Sequence, residues 1–579
     1  MADITSRLAG LNPFNSNKLD DDDKGDVMAP AAGSSRRSDT AKDQLRISRA
    51  LRTFIHENRI LSERDAGLDD KELTPALREL LARRSFEAPP SLIDPTYPLP
   101  EYFVSSSHNT YLLANQLYGK SSPSAYETAL TTGSRCVEID AWDNSDNEDE
   151  PKVTHGFTLV SHIPFRAVCE TIRDVYDREQ AADTFTAGTA GDPASPILLS
   201  LENHCGPHGQ LRLVQIMKEV FGHRLISEPV RRKGTREQQG SGEHVTLEDL
   251  GPKISVIVEF HLPDEATDSN NSGDDNDDDE EEQQRVARKA YNEKKKQSSS
   301  TIIIPELAEL GVYAQSVKPK DNSWYDPGQL INGPHHHLIN VSESGLSKHL
   351  PDHAVQISHH NSRHLMRVFP KGTRISSTNL HPEKYWGVGA QICALNWQTY
   401  TTSVQLNDAL FNGTPGYVLK PAALRANGSG DLRTGRKKKL RVHVAGATDV
   451  PLHEDRERDS IKPYLTCSLY SPLMGDKETK RKTEPYKHHT LGFLHHGENP
   501  HATNPLWDET LEWEYEDNEL VFLRMLIKSD DSWARNPKFA VATVRLSYAP
   551  VGWTFVRMND LQGIESDCTL LVKFEFEDL

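Results

Sequence analysis

Residues 136–143 read CVEIDAWD. The β-branched residues favour an extended chain, and side chains on a strand alternate between its two faces. Val137 and Ile139 therefore share one face, while Glu138 and Asp140 project together from the other. Two carboxylates on one face repel each other unless a cation, a shared proton or water compensates. The stretch predicts a strand with an apolar outer side and a charged inner side, which is the first sign of a hard-metal site.

Similar runs lie on either side. FVSS (Phe103–Ser106), PILLSLEN (Pro196–Asn203) and KISVIVEF (Lys253–Phe260) are candidate strands, with TALTTG (Thr128–Gly133) and RAVCETIRDVYD (Arg166–Asp177) as helices between them. Strand–helix alternation implies a parallel sheet, open or closed into a barrel. It breaks at residues 263–304, where DDNDDDEEEQQ and EKKKQSSS predict a disordered acidic linker, and resumes from about Leu307 to Leu424. A barrel with an insertion explains this better than two separate domains. Beyond RANGSGDLRTGRKKK (Arg425–Lys439) come LRVHVAGA, YLTCSLY, LEWEYE, LVFLRMLI, KFAVATVRL and TLLVKFEFE, short strands at sandwich spacing. The expected division is a disordered tail (1–40), a helical segment (41–95), the two barrel halves (96–262 and 305–425) around the linker, and an all-β domain (426–579).

In the helical segment Ala50, Leu51, Phe54 and Ile55 form an apolar stripe, and a second helix opens at 70–72 and runs through Leu73 and Leu77 to Leu81. DDDDKG (Asp20–Gly25) faintly resembles a calcium loop, but Ala31 stands where the closing glutamate belongs.

The 579-residue chain carries a net charge of −19, which argues against nucleic acid as its partner. The basic cluster Arg433–Arg441 could meet anionic lipid or be a solvated linker. Six scattered cysteines suit reduced cytosolic thiols, and no run approaches a membrane span. The expected location is cytoplasmic, with visits to membranes from outside. HHH at His335–His337 reads as an exposed loop feature, with metal binding as the alternative.

At the predicted strand ends stand His108 and Asn109, Glu138 and Asp140, His155, and Glu202 with Asn203. Active sites of parallel barrels form at the carboxyl ends of the strands. Three carboxylates and an amide oxygen suit calcium or magnesium rather than zinc, and two histidines add proton transfer near neutral pH. Spacing alone supports a metal-assisted hydrolase or lyase.

SSSHNTYLLANQLYG (from Ser105), CVEIDAWD, HGFTLVSHIPF (from His155) and LSLENHC (from Leu199) closely resemble the X region of the eukaryotic phosphoinositide-specific phospholipases C, of delta-like type. HLMRVFPKGTRISSTN, LNWQT and GYVLKPAALR resemble the Y region, and the all-β tail resembles the family's C2 domain. The resemblance implies a distorted (β/α)8 TIM-type barrel split by the acidic linker, followed by a C2-type sandwich and preceded by an EF-hand-like helical remnant. It implies Ca2+ held by Asn109, Glu138, Asp140 and Glu202. It makes His108 the stabiliser of the phosphorane, His155 the general acid, and Glu138 or Glu202 the base. Ser316, Arg367 and Phe369 match headgroup-binding positions, Phe369 replacing a tyrosine. The implied activity is cleavage of phosphatidylinositol phosphates, the 4,5-bisphosphate being the family substrate, at an anionic membrane reached through the C2-type domain. A catalytically weak lipid-binding scaffold and a hydrolase of soluble glycerophosphodiesters are the competing readings. Ile257 and Glu259 stand where the family pattern has two lysines, which leaves the headgroup preference open. In the C2-type tail Asn504, Asp530 and Asp531 form an incomplete calcium set.

Overall fold

The computed structural model describes residues 45–68, 72–83, 85–113, 120–155, 161–185, 195–261, 302–319, 323–326, 330, 333–371, 374, 377–452, 456–474, 479–489, 498–530 and 538–579, with Asp26 and Met28 upstream. The calcium-loop-like DDDDKG and nearly all of the acidic linker lie outside the described residues.

The first half of the chain supplies β1 (Tyr102–Val104), β2 (Cys136–Trp142), β3 (Lys152–Val153), β4 (Ile163–Pro164), β5 (Ile197–His204) and β6 (Ile254–Glu259). After the linker come β7 (Gln315–Val317), β8 (His337–Ser342), β9 (Leu365–Phe369), β10 (Ile392–Cys393) and β11 (Tyr417–Leu419). Strands β2, β5, β6, β7, β8, β9, β10 and β1 pair in parallel in that order. The ring closes just past β1, at a parallel bridge between Ser106 and Cys136. At its base β11 runs antiparallel beside β1 and distorts the barrel. Gly416 makes that entry possible: its φ is +85°, and a Cβ there would lie 2.5 Å from Arg135 Cγ.

Alternation on β2 sorts the side chains as expected. Val137, Ile139 and Ala141 pack outward against the helices Pro123–Thr131, Phe165–Phe185 and Pro207–Phe221. Cys136 faces the interior with Leu198, Ile257, Leu338, Leu365 and Ile392. This apolar plug makes the barrel a packed core beneath its charged mouth. The helix anticipated at 128–133 begins earlier, at Pro123, because Ser122 caps it and proline suits its first turn.

The tail forms eight antiparallel strands: β12 (Lys437–Thr448), β13 (Pro463–Tyr470), β14 (Lys480–Lys482), β15 (Leu506–Glu516), β16 (Phe522–Ser529), β17 (Lys538–Arg545), β18 (Gly552–Asn559) and β19 (Glu565–Asp578). One layer is β14-β13-β16-β17 and the other β18-β19-β12-β15, joined by a single pairing, Val541 with Asn559. Strands β14 and β18 are additions to the six read from the sequence. The cluster Arg433–Arg441 is only partly linker, since Lys437 opens β12.

The helical segment contains α1 (Arg49–Glu57), α2 (Glu63–Ala66) and α3 (Pro75–Ala82). The second long helix starts at Pro75 rather than at 70–72, because the Thr74 hydroxyl accepts from the Leu77 N–H and sets the cap there. These helices bury Leu51, Phe54, Ile55 and Leu77 against Ala445, Phe555 and Leu571 of the sandwich, not against the barrel. The sandwich in turn packs Phe522, Leu526 and Val541 onto Trp386, Val404 and Leu410 of the barrel. Within the tail expected to be disordered, Asp26 and Met28 are fixed. The Met28 N–H donates to the Gln398 carbonyl at 3.0 Å and the Asp26 N–H to the Leu561 carbonyl at 3.2 Å, which ties this strip to both domains.

Candidate active site at the barrel mouth

The parallel register sets Asp140 beside Glu202, and Glu138 beside Ser200. Carboxylate oxygens of Glu138, Asp140 and Glu202 all lie within 4.8 Å of one another. Glu138 and Asp140 are buried, whereas the Glu202 side chain is 49% exposed and forms the solvent side of the cluster. The Asp140 Oδ2 accepts from the Tyr111 hydroxyl at 2.6 Å, but its Oδ1 is buried with no hydrogen-bond partner among the described residues. Burial, then the charges of Glu202 and Glu138, hold the Asp140 carboxyl well above the usual carboxylate range. An orphaned carboxylate oxygen among three acids fits a hard divalent cation.

Glu138 is gripped on both oxygens. Oε1 forms an ion pair with Arg367 at 2.6 Å, and Oε2 accepts the backbone N–H of Asn109 at 2.7 Å. Asn109 takes the left-handed region (φ +45°) to aim that amide, a conformation asparagine tolerates. Arg135, the nearest arginine in sequence, pairs instead with Glu179 at 2.8 Å.

His108 sits 3.9 Å from Glu138 through Nε2. Its Nδ1 lies 2.8 Å from the Asn396 Oδ1, and Asn396 is oriented by donating its own amide to the Thr378 carbonyl at 2.9 Å. The oxygen therefore faces the ring, so Nδ1 carries the proton and Nε2 is left for the site. Burial lowers the His108 pKa, with the Glu138 charge opposing, so the free imidazole is neutral. Phe369 stacks on it, rings 6.5 Å apart and 2° from parallel, and the Arg367 guanidinium lies 5.6 Å from the Phe369 ring. Arg367 also donates to the Asn340 Oδ1 at 3.1 Å.

His155 follows Thr154, whose N–H donates to the Asp140 carbonyl at 3.3 Å. The chain segment is thus anchored on β2 at the level of the acids. Ser316 is half-buried on β7 and pairs by register with Glu259 and Leu338. Asn203 turns its Oδ1 to the Cys205 N–H at 3.2 Å and serves the local turn. Tyr111, Asn396 and Asn340 are the site residues the strand-end search did not single out. Tyr111 stands two places past Asn109 in the quoted run, where nothing in the sequence marks its hydroxyl as turned to Asp140.

Ile257 is buried in the apolar plug, one layer beneath the mouth. Glu259 lies above it; burial raises its pKa, and the Lys318 charge opposes that. In the sandwich the Asn504 Oδ1 accepts the Asp449 N–H at 3.0 Å, so this member of the expected calcium set serves the fold, and Asp531 lies outside the described residues.

An eight-stranded parallel barrel with an acidic mouth, coupled to an antiparallel sandwich, defines an α/β-barrel protein with a candidate hard-metal centre. Residues 95–259 match the phosphatidylinositol-specific phospholipase C X domain, residues 307–423 its Y domain and residues 438–554 the C2 domain. The chain belongs to the phosphatidylinositol-specific phospholipase C family. It is 30% identical over 544 residues to 1-phosphatidylinositol 4,5-bisphosphate phosphodiesterase 1 of Candida albicans, covering 83% of this chain and 48% of that protein. It is 31% identical over 494 residues to the delta-3 phosphodiesterase of Mus musculus, covering 83% of this chain and 57% of that one. The chain thus spans about half the length of these curated relatives. The crystal structure of S. officinalis PLC21 shares the fold at TM-score 0.66 and 22% identity, over 91% of this chain and 62% of that one. Among the described residues, no helix is long and apolar enough to cross a membrane.

Proposed function

We propose that this protein is a calcium-dependent phosphoinositide phospholipase C. It would cleave membrane phosphatidylinositol phosphates into diacylglycerol and an inositol phosphate through a cyclic phosphate. The observation that carries the reading is the convergence of Glu138, Asp140 and Glu202 beside His108, in a chain of this family. Asn109, Glu138, Asp140 and Glu202 are the residues that would hold Ca2+. When bound, calcium would lower the pKa of the inositol 2-hydroxyl and offset charge gathering on the phosphoryl oxygens.

Glu138 or Glu202 takes the proton of that hydroxyl as its oxygen attacks phosphorus. His108, neutral in the free protein, faces the site through Nε2. An anionic phosphoryl group beside it favours the imidazolium, whose Nε2–H then donates to the developing charge. His155 protonates the diacylglycerol oxygen as the phosphorus–oxygen bond breaks, and then activates the water that opens the cyclic ester. Ser316, Arg367 and Phe369 contact the headgroup. Lys318 beside Glu259 leaves that side of the pocket near neutrality rather than strongly cationic. The C2 domain brings the barrel to an anionic membrane surface peripherally and transiently, from the cytoplasm.

The test is turnover of phosphatidylinositol, its monophosphate and its 4,5-bisphosphate in mixed micelles at saturating calcium. Hydrolysis of all three is expected, with a bisphosphate preference below about tenfold, since Glu259 stands at the pocket edge where a charge-assisted contact would otherwise be made. Lipid binding without turnover of any of them would support a scaffold instead.

A further inference from the structure

At the opposite, N-terminal end of the barrel, three histidines, His244, His335 and His336, gather around one buried glutamate. Glu237 lies near the end of the helix Arg231–Gln238, with its side chain only 4% exposed. Its Oε1 is 3.3 Å from His244 Nδ1 and 3.9 Å from His335 Nε2; its Oε2 is 3.8 Å from His336 Nε2 and accepts the Val245 N–H at 3.1 Å. No lysine or arginine is paired with this carboxylate among the described residues. The run HHH is only partly the exposed loop expected: His335 is 47% exposed in a turn, but His337 is 7% exposed on β8, and the His336 carbonyl accepts the Gln315 N–H at 2.9 Å to hold the start of β7.

We propose that Glu237, His335 and His336 bind a divalent transition-metal ion of the zinc type, with His244 or water completing the shell. One oxygen of Glu237 and one nitrogen from each histidine lie within 4.8 Å of one another. Two ligands each about 2.1 Å from a tetrahedral zinc ion stand roughly 3.4 Å apart. The observed 3.9 Å to Oε1 and 3.8 Å to Oε2 are too long for hydrogen bonds, and an ion would draw the three ligand atoms together from within 4.8 Å. The His336 Nε2 is buried beside Glu237 and has no hydrogen-bond partner among the described residues, so it is a ring nitrogen that an ion could satisfy. Imidazole nitrogen with carboxylate suits zinc, whereas the all-oxygen mouth suits calcium. Burial and the neighbouring histidines pull the His336 pKa down to about 3, which keeps the ring in the neutral form a metal requires. The ion would clamp the helix Arg231–Gln238 to the start of β8. Five residue steps along β8, about 17 Å, separate it from the mouth, so its role is to brace the barrel.

The test uses the full chain, stripped with chelator and held in excess calcium to fill oxygen sites. Zinc is titrated against a chromophoric chelator, and cobalt(II) is added in parallel. One equivalent of zinc should bind and raise Tm, and cobalt should give the intense visible bands of a tetrahedral, nitrogen-ligated ion. Glu237→Gln and His336→Asn should each weaken zinc by about 100-fold and remove the bands. His501→Asn should change neither, although Asp459, His488 and His501 form another cluster on the sandwich. Should the Glu237 and His336 variants fold poorly, the cobalt spectrum of the wild type compared with that of His501→Asn still decides. Absence of zinc binding and of tetrahedral bands in the wild type, or their loss in His501→Asn alone, overturns the proposal.

Discussion

At the barrel mouth three carboxylates cluster around one arginine, whereas on β12 of the sandwich Lys438, Lys439 and Arg441 are paired with acids. Lys438 meets Asp517 at 3.1 Å, Lys439 meets Glu512 at 2.7 Å, and Arg441 bridges Glu512 at 2.9 Å and Glu577 at 2.7 Å. Those pairs are partly exposed and contribute little to stability, but they cancel the local field. The mouth leaves Asp140 with an unsatisfied oxygen and its proton affinity raised. Uncompensated charge held under burial costs stability and marks where an external ion or substrate is expected. Paired charge at a surface marks the opposite. Pairing of Lys438, Lys439 and Arg441 therefore weakens the basic run's attraction for anionic lipid.

The largest way to break the contrast is to remove the mouth's acids. Glu138→Gln or Asp140→Asn should lower kcat by about 1,000-fold or more. Asp140→Asn should also raise the Tm of the calcium-free protein, because the buried acid charge is gone. A destabilised, active variant would contradict the assignment. Next, His108→Ala should cost about 100- to 1,000-fold in kcat, as loss of a donor aimed at developing charge does. Asn396→Ala should cost less and shift the acid limb of the pH–rate profile, since it removes only the group that fixes the ring's tautomer. An unmoved profile would exclude that positioning role.

The headgroup pocket sharpens the comparison further. Glu259→Lys should raise kcat/KM for the bisphosphate over phosphatidylinositol by about tenfold, by turning a near-neutral edge cationic. Ile257→Lys should instead destabilise the fold by about 3 kcal/mol, because it places a charge in the apolar plug. Equal effects from the two substitutions, by activity and thermal melts, would refute this layering. The smallest effect belongs to the sandwich. Lys439→Ala should change binding to anionic vesicles less than twofold at physiological salt, since Glu512 already neutralises it. A steep loss of binding would mean that β12 does meet lipid.

The difference also explains what could be read in advance. Alternation on β2 and β5 made Glu138, Asp140 and Glu202 legible, because a period of two assigns faces without knowledge of partners. Partners distant in the chain were not legible: Glu138 finds Arg367 rather than the nearby Arg135, and His108 is oriented by Asn396, 288 positions away. The six long strands of the sandwich showed as apolar runs. Strand β14 is Lys480–Lys482, three cations with no apolar face to betray it, and β18 has mixed chemistry in GWTFVRMN. The packing of α1 on the sandwich had no local signal, since an apolar stripe specifies burial but not the surface that covers it.

The central claim is that the three mouth carboxylates work by holding a calcium ion. Turnover of phosphatidylinositol in mixed micelles by the full chain, first in excess chelator and then with calcium restored stepwise, tests it most directly. The account predicts no measurable turnover in chelator and full recovery on calcium return, with Asp140→Asn needing far more calcium or failing to recover. Full activity in excess chelator would contradict it.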